Sequence, residues 1–137
     1  MERREFIKKS TITCLTCLGV SALMESCKTA YYAPTIKDKN RLVVKRTDYS
    51  QHNFVLIKDE RFPAPIYLTK INENEYSALL MLCTHKGCEL NAVNNYLVCP
   101  CHGSEFSNTG KVTQSPAEKD LQKFITTSDS ENIYIHL

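Results

Sequence analysis

No apolar run in this sequence is long enough to span a lipid bilayer. The longest, from Thr11 to Met24, has about 14 residues, whereas a spanning helix needs about 20. A basic stripe is also absent: 17 Lys and Arg stand against 15 Asp and Glu. Removing residues 1–26 subtracts four basic and three acidic residues and leaves 13 against 12. This near-neutral balance gives no support to a nucleic-acid partner. With no internal repeats, the 137 residues are expected to form one domain.

Four of the seven cysteines lie in two short segments that also hold two of the four histidines. The first segment, residues 83–88, reads Cys-Thr-His-Lys-Gly-Cys, and the second, residues 99–104, reads Cys-Pro-Cys-His-Gly-Ser. Cys83 and His85 are two apart, so an extended backbone turns both side chains to the same face. Cys99 and His102 can meet across a tight turn, as in metal knuckles. Each segment therefore offers one thiolate and one imidazole, a mixed set that suits a metal of intermediate softness.

Three kinds of site fit these four side chains. A [2Fe–2S] centre in which two His replace two Cys on one iron needs this mixed ligand set. A structural zinc ion also accepts two Cys and two His, but such sites usually pair Cys with Cys and His with His within each knuckle. A purely disulfide framework would use the four cysteines and leave both histidines without a role. The residues by themselves favour iron–sulfur and leave the other two open.

The two segments and the residues after them resemble the Rieske iron–sulfur family. The runs at 83–88, 99–106 and 110–117 are closest in form to the disulfide-bearing branch of cytochrome bc complexes, and the resemblance covers about residues 41 to 137. It implies one [2Fe–2S] cluster per chain. The implied ligands are two cysteines on one iron and two histidines on the other: Cys83, Cys99, His85 and His102.

The resemblance also assigns roles to residues around the cluster. It implies a disulfide between Cys88 and Cys101, which indicates an oxidising compartment outside the cytoplasm. Ser104 stands where high-potential relatives have a serine bonded to a bridging sulfide, and Phe106 where many have a tyrosine bonded to a cysteine sulfur. Because hydrogen bonds to sulfur raise the potential, the missing hydroxyl predicts a potential below the top of the Rieske range but above plant-type ferredoxins. Pro116 is expected to stiffen a loop that covers the cluster.

The four histidines are expected to divide into two groups. The resemblance implies that the ring edges of His85 and His102 reach the surface, where cluster reduction can be coupled to proton uptake from a quinol. His52 and His136 lie outside the motifs and are interpreted as ordinary surface or strand-end residues.

The N-terminus resembles an export signal. Arg3 and Arg4, followed by Glu-Phe-Ile-Lys, resemble the twin-arginine pattern, and a basic start before a short apolar stretch is typical of signal peptides. Cys27 ends a Leu-Met-Glu-Ser-Cys run that resembles a lipoprotein cleavage box. We therefore expect residues 1–26 to be a signal peptide and Cys27 to carry lipid that holds the domain on a membrane surface. An uncleaved N-terminal anchor and cleavage to a soluble protein are the alternatives.

Short β-type runs separated by polar turns predict an all-β fold. With the resemblance, this becomes an antiparallel β-sandwich with a small cluster-binding subdomain of two loops. The polar residues 27–40 are interpreted as a linker or tether, and 41–137 as the domain. Strands are expected over 41–49, 54–57, 66–69, 78–82, 96–98, 121–127 and 132–136, with shorter runs at 105–106 and 111–112.

The resulting prediction is a membrane-tethered electron-transfer protein on the periplasmic side of a bacterial cell. It would accept electrons from quinol or a partner oxidoreductase and pass them to a cytochrome-like acceptor. A second candidate is the small subunit of a periplasmic oxidase of the arsenite-oxidase type, and a third is a zinc or disulfide module without redox function. The sequence shows no independent catalytic constellation.

Overall fold

The structure, a computed structural model, describes residues 30–137. The twin arginines Arg3 and Arg4 and the expected lipidation site Cys27 lie outside the described residues. Within 30–137, no helix is long and apolar enough to cross a membrane. The described chain consists mainly of short antiparallel strands with one helical turn, which confirms the all-β prediction.

Seven strands form the larger sheet, in the order β1-β2-β11-β10-β5-β4-β3, and every neighbouring pair is antiparallel. Along β10, Lys123 and Phe124 pair with β5, whereas the last four residues pair with β11. A strand that changes partners in this way makes the corner at which a sheet folds over into two layers. The strands are β1 (Ile36–Asp38), β2 (Arg41–Lys45), β3 (Phe54–Ile57), β4 (Ile66–Asn72), β5 (Glu75–Leu80), β10 (Lys123–Ser128) and β11 (Asn132–His136).

Four shorter strands form a second antiparallel sheet, in the order β6-β7-β8-β9. They are β6 (Asn91–Val93), β7 (Tyr96–Val98), β8 (Glu105–Ser107) and β9 (Val112–Gln114). All four lie between β5 and β10 in the chain, so the small sheet is an insertion into the larger one. It forms the expected subdomain and carries both cysteine–histidine segments.

The strand expected over residues 41–49 is wrong in its second half. The strand β2 ends at Lys45, and a helical turn, α1 (Arg46–Tyr49), follows. The buried Tyr49 explains the change, because its hydroxyl donates to the carbonyl of Asn53 (2.8 Å) and accepts the backbone N–H of Lys70 (2.8 Å). The contact with Lys70, which lies 21 residues further along the chain, thus outweighs the local strand preference.

The structure also differs from the linker expected before residue 41. Strand β1 pairs with β2, and the buried Ala33 donates its N–H to the carbonyl of Leu56 (2.9 Å). Lys37 reaches the carboxylate of Asp59 at 3.8 Å. Residues 30–40 therefore pack on the domain, and its folded part begins before residue 41.

Asp59 forms a bidentate ion pair with Arg61. Its carboxylate accepts two hydrogen bonds from the Arg61 guanidinium, at 2.7 and 2.9 Å, and a third from the Arg61 backbone at 3.0 Å. The Asp59 side chain is fully buried, whereas that of Arg61 is 41% exposed. The hydrogen bond from the guanidinium holds the pKa of the Asp59 carboxyl well below its usual range. This ion pair holds the backbone of residues 59–61, which follow β3, in place.

The small sheet meets the larger one at Gly110, in the turn between β8 and β9. A Cβ atom at this position would lie 2.8 Å from Cδ2 of Leu79, and the backbone has a φ of +90°. Leu121 donates its N–H to the Gly110 carbonyl at 2.8 Å. Only glycine combines this backbone conformation with so close an approach. The contact anchors the small sheet on β5.

Candidate metal centre

The two cysteine–histidine segments lie at one end of the β6–β7 hairpin. The first cluster loop (residues 83–88) precedes β6 and the second (residues 99–104) follows β7. Asn91 pairs with Val98 at the end of the hairpin nearest both loops, and Val93 pairs with Tyr96 at the turn. Antiparallel pairing thus brings together two segments that are separate in the sequence.

Backbone hydrogen bonds define the first cluster loop. Cys83 donates its N–H to the carbonyl of Cys88 at 2.8 Å, and the Cys83 carbonyl accepts the N–H of Gly87 at 2.8 Å. Gly87 has a φ of +76°, a left-handed conformation that glycine adopts readily. The loop is therefore a closed turn that starts and ends on a cysteine.

The second cluster loop repeats this backbone pattern. Cys99 donates its N–H to the carbonyl of Ser104 at 2.8 Å and accepts the N–H of Gly103 at 3.0 Å. Gly103 has a φ of +79°. The two loops are thus local copies of one turn, with a cysteine at the first position and a glycine at the fifth. Paired loops of this kind can present ligands to one centre from two sides.

The structure buries the two expected cysteine ligands and brings the two expected histidine ligands close together. Cys83 and Cys99 are free thiols and almost fully buried, at 3% and 2% exposure. The rings of His85 and His102 are 5.0 Å apart between centroids and nearly perpendicular. Nδ1 of His85 is buried and has no hydrogen-bond partner among the described residues. A buried ring nitrogen without a partner costs free energy, and a bound metal would satisfy it. The donor set therefore fits a cluster held by two sulfurs and two nitrogens.

A disulfide joins Cys88 to Cys101, as the resemblance implies, and so links the two cluster loops. The sulfur of Cys99 lies within 4.8 Å of both disulfide sulfurs. Only Cys99 of these three can supply a thiolate, because the other two are oxidised. Of these three cysteines, Cys99 is therefore a candidate ligand, and Cys88 and Cys101 form a covalent link next to it.

A third loop, residues 115–120, is hydrogen-bonded to both cluster loops. The hydroxyl of Ser104 accepts the N–H of Ala117 at 2.9 Å, and the hydroxyl of Thr84 donates to the carbonyl of Lys119 at 2.6 Å. Pro116 lies in this loop and is exposed. The roles of Thr84 and Ala117 were missed by sequence reasoning. The only signal in the sequence for this role is that Thr84 stands next to the expected ligands Cys83 and His85. Its hydrogen-bond partner, Lys119, lies 35 residues away in the chain.

Ser104 and Phe106 are both completely buried. The Ser104 hydroxyl accepts one hydrogen bond, and no acceptor for its own proton is found within residues 30–137. That proton is free to be donated to a sulfur atom of a bound cluster. Phe106 lies in β8 opposite Leu97 and fills the interior of the small sheet. The assignment of Ser104 as a residue that tunes the cluster stays a prediction.

The other two histidines are separate from the centre. His52 stacks on Tyr31, with 4.2 Å between ring centroids. Nε2 of His136 lies 2.9 Å from the hydroxyl of Thr127 in the neighbouring strand. His52 and His136 therefore each contact a residue outside the metal centre.

Comparison with known proteins defines the class. Residues 30–125 match the Rieske [2Fe-2S] domain, and the chain belongs to that family. It is a Rieske protein, and its domain binds a [2Fe–2S] cluster.

The curated relatives that the chain matches include iron–sulfur subunits of cytochrome b6-f complexes. The subunit of Synechococcus sp. (strain JA-3-3Ab) is 43% identical over 54 residues, which cover 38% of this chain and 31% of the relative. The subunit of Synechococcus elongatus is 34% identical over 76 residues, which cover 53% and 42%. The chain thus spans less than half the length of these relatives.

Among solved structures, the cyanobacterial plasma membrane Rieske protein PetC3 from Synechocystis PCC 6803 is similar to this chain. The TM-score is 0.59 at 32% identity, covering 68% of this chain and 95% of that one. A complex of reduced oxygenase and oxidized ferredoxin in carbazole 1,9a-dioxygenase also aligns, with a TM-score of 0.57 at 19% identity, over 72% of this chain and 94% of that one. This second likeness shows the fold alone.

Proposed function

We propose that this chain carries single electrons at a membrane surface through a cluster held by the two cluster loops. Cys83 and Cys99 hold one iron, and His85 and His102 hold the other. The donor is a quinol or a partner oxidoreductase, and the acceptor is a cytochrome-like protein. The observation that supports this most strongly is the pair of equivalent loops, each with one buried thiol and one imidazole.

The burial of the ligands indicates where electrons enter and leave. Both ligand cysteines are buried, whereas His85 is half-buried and His102 is exposed. The histidine side is therefore the side of the centre that a redox partner can approach most closely. The cluster, when bound, supplies a one-electron couple. The two imidazoles form the contact edge, and the same edge can exchange a proton with a quinol.

The remaining residues of the site protect and hold the centre. The disulfide between Cys88 and Cys101 keeps the cluster loops together, and the Pro116 loop, which is hydrogen-bonded to Thr84 and Ser104, covers the cluster. A site closed by three linked loops excludes water and keeps the ligands in one geometry, which lowers the reorganisation that accompanies electron transfer.

The proposal includes export and tethering by the N-terminal region. Residues 1–26 act as a twin-arginine signal, and Cys27 is lipidated, so that residues from 27 onward carry the domain on the periplasmic side of the membrane. Two findings support membrane association: relatives of this chain belong to cytochrome b6-f complexes, and a similar structure is that of a plasma membrane Rieske protein.

Low-temperature EPR of the dithionite-reduced full chain, with iron and sulfide analysis, tests the ligand assignment. We expect about two irons and two sulfides per chain and an average g value of the low Rieske type. His85→Ala and His102→Ala should each abolish that signal. His136→Ala is the matched control and should retain it, because His136 bonds only within the large sheet. A chain that binds zinc and gives no EPR signal would contradict the proposal.

A further inference from the structure

A free thiol lies beside the disulfide that links the two cluster loops. The sulfur atoms of Cys88, Cys99 and Cys101 all lie within 4.8 Å of one another, and Cys99 is not part of the disulfide. Cys83, the other free thiol among the described residues, does not belong to this group. One reduced and two oxidised sulfur atoms at this separation are the reactants of thiol–disulfide exchange.

The exposure of the two disulfide sulfurs favours one of the two possible products. Cys101 is exposed to solvent, whereas Cys88 is half-buried. Burial disfavours a charged group, so the exposed sulfur is the better leaving group. An attack of Cys99 on the sulfur of Cys88 expels Cys101 into water, whereas an attack on Cys101 would expel the half-buried sulfur.

The backbone between Cys99 and Cys101 disfavours a bond between these two residues. Such a bond would close a small ring over Pro100, whose own ring fixes φ at about −65°. The segment is also held in a turn, because the Cys99 carbonyl accepts the N–H of Gly103 at 3.0 Å. A bond from Cys99 to Cys88 instead links the same two cluster loops as the existing disulfide does.

We propose that Cys99 has a second chemical role, as the nucleophile of an exchange with the Cys88–Cys101 disulfide in chain that holds no cluster. The sulfur of Cys99 attacks that of Cys88, the bond between Cys88 and Cys101 breaks, and Cys101 becomes the free thiol. The proton that Cys99 loses is regained by Cys101 through solvent. One S–S bond forms and one breaks, so no oxidant or reductant is consumed.

This exchange and cluster binding exclude each other, a consequence that rests on the proposed role of Cys99 as an iron ligand. A sulfur bound to iron is not available to attack a disulfide, and a sulfur within a disulfide cannot supply the thiolate that a metal requires. The cluster thus protects the original pairing. Chain that has exchanged keeps its two loops linked but lacks one ligand, so it accepts no cluster until the exchange reverses.

Two serine variants test the exchange, because each removes one ligand cysteine and only one of them keeps the nucleophile. Cys83→Ser retains all three sulfur atoms of the group, whereas Cys99→Ser leaves the disulfide without the neighbouring thiol. Each full-length chain is purified without reductant and alkylated with N-ethylmaleimide, and tandem mass spectrometry maps the labelled positions. The thiols of Cys14, Cys17 and Cys27 are present in both variants, so exchange with them would affect both alike.

The label should distinguish the two variants at one position. In Cys83→Ser, label should be found on Cys101 as well as on Cys99, and a cross-linked peptide should join Cys88 to Cys99. In Cys99→Ser, the label on Cys101 should be lost. The labelled share of Cys101 should be the same at low and high protein concentration, because the exchange takes place within one chain.

Wild-type chain repeats the test without a substitution. While it shows its EPR signal, neither Cys99 nor Cys101 should be labelled, and label on Cys101 would overturn the protection by the cluster. After its iron and sulfide have been removed, Cys101 should acquire label.

The outcomes separate this inference from the proposed function. The exchange is overturned if Cys101 stays unlabelled in Cys83→Ser and in iron-free wild type, or if both variants carry equal label there. Wild-type chain that holds no iron and gives no EPR signal would contradict the proposed function, whereas the comparison of the two variants would still decide the exchange.

Discussion

Replacing Ser104 by alanine should separate the structural and redox roles of one buried hydroxyl. The hydroxyl accepts the N–H of Ala117 at 2.9 Å, and Ser104 is completely buried. Ser104→Ala leaves that N–H buried without a partner, which costs about 1–3 kcal/mol. The free energy of unfolding of the variant should fall by this amount.

The same substitution should lower the reduction potential. A hydroxyl that donates to a cluster sulfur stabilises the reduced, more negative state. If the bond is stronger in that state by about 1 kcal/mol, its loss lowers the potential by roughly 40 mV, since about 1.4 kcal/mol corresponds to 59 mV for one electron. EPR-monitored redox titration measures the potential, and denaturant titration measures the stability.

Ser77→Ala is the matched control. Ser77 is equally buried, but its hydroxyl has no hydrogen-bond partner among the described residues. Its removal should leave the potential unchanged and the stability unchanged or higher, because an unpartnered buried hydroxyl is itself unfavourable. A potential that does not move in Ser104→Ala, or that moves equally in both variants, would refute the assignment of a cluster bond to Ser104.

Three further substitutions test the surrounding framework. Asp59→Asn should destabilise the domain by about 1.5–3 kcal/mol at neutral pH. The pKa of Asp59 is lower in the folded state than in the unfolded state. Denaturant titrations should therefore show the full difference in stability above about pH 4, and a smaller difference as the pH falls further. Replacing both Cys88 and Cys101 by serine should cost about 3 kcal/mol, since their separation is 13 residues, and dithiothreitol should destabilise the wild type but not this variant. Gly110→Ala should lower the free energy of unfolding by about 2–5 kcal/mol, because the backbone at this position is left-handed and the added Cβ would meet Leu79. Gly103→Ala is the control, since a Cβ there meets nothing within 4 Å. If Gly110→Ala loses no more stability than Gly103→Ala, the steric argument is refuted.

The sequence was most informative where the chemistry is local. Cys83 and His85, or Cys99 and His102, are at most three residues apart, and their spacing already predicts that each segment can present its cysteine and its histidine to one metal centre. The alternation of apolar and polar residues likewise predicts most strands, because one face of each strand is buried. The family and the cofactor follow from these same segments, and the comparisons confirm both.

Sequence reasoning failed where a distant contact decides the local structure. The helical turn α1 replaces the end of an expected strand because the hydroxyl of Tyr49 accepts the N–H of Lys70, which lies 21 residues further along the chain. The expected linker is partly a strand because β2 offers it an edge. Neither Lys70 nor β2 can be identified as a partner from the sequence of the segment whose conformation it decides.

By itself the sequence determined the family, the cofactor and the β-rich character of the domain, since all three depend on short-range spacing and composition. Only the tertiary structure decided which surfaces and loops surround the centre. The bond from Thr84 to Lys119 spans 35 residues, and the position of Ala30 beside Val93 depends on how the N-terminal segment packs against the small sheet. Such contacts arise from the burial of whole strands, and no short window of residues contains the information that fixes them.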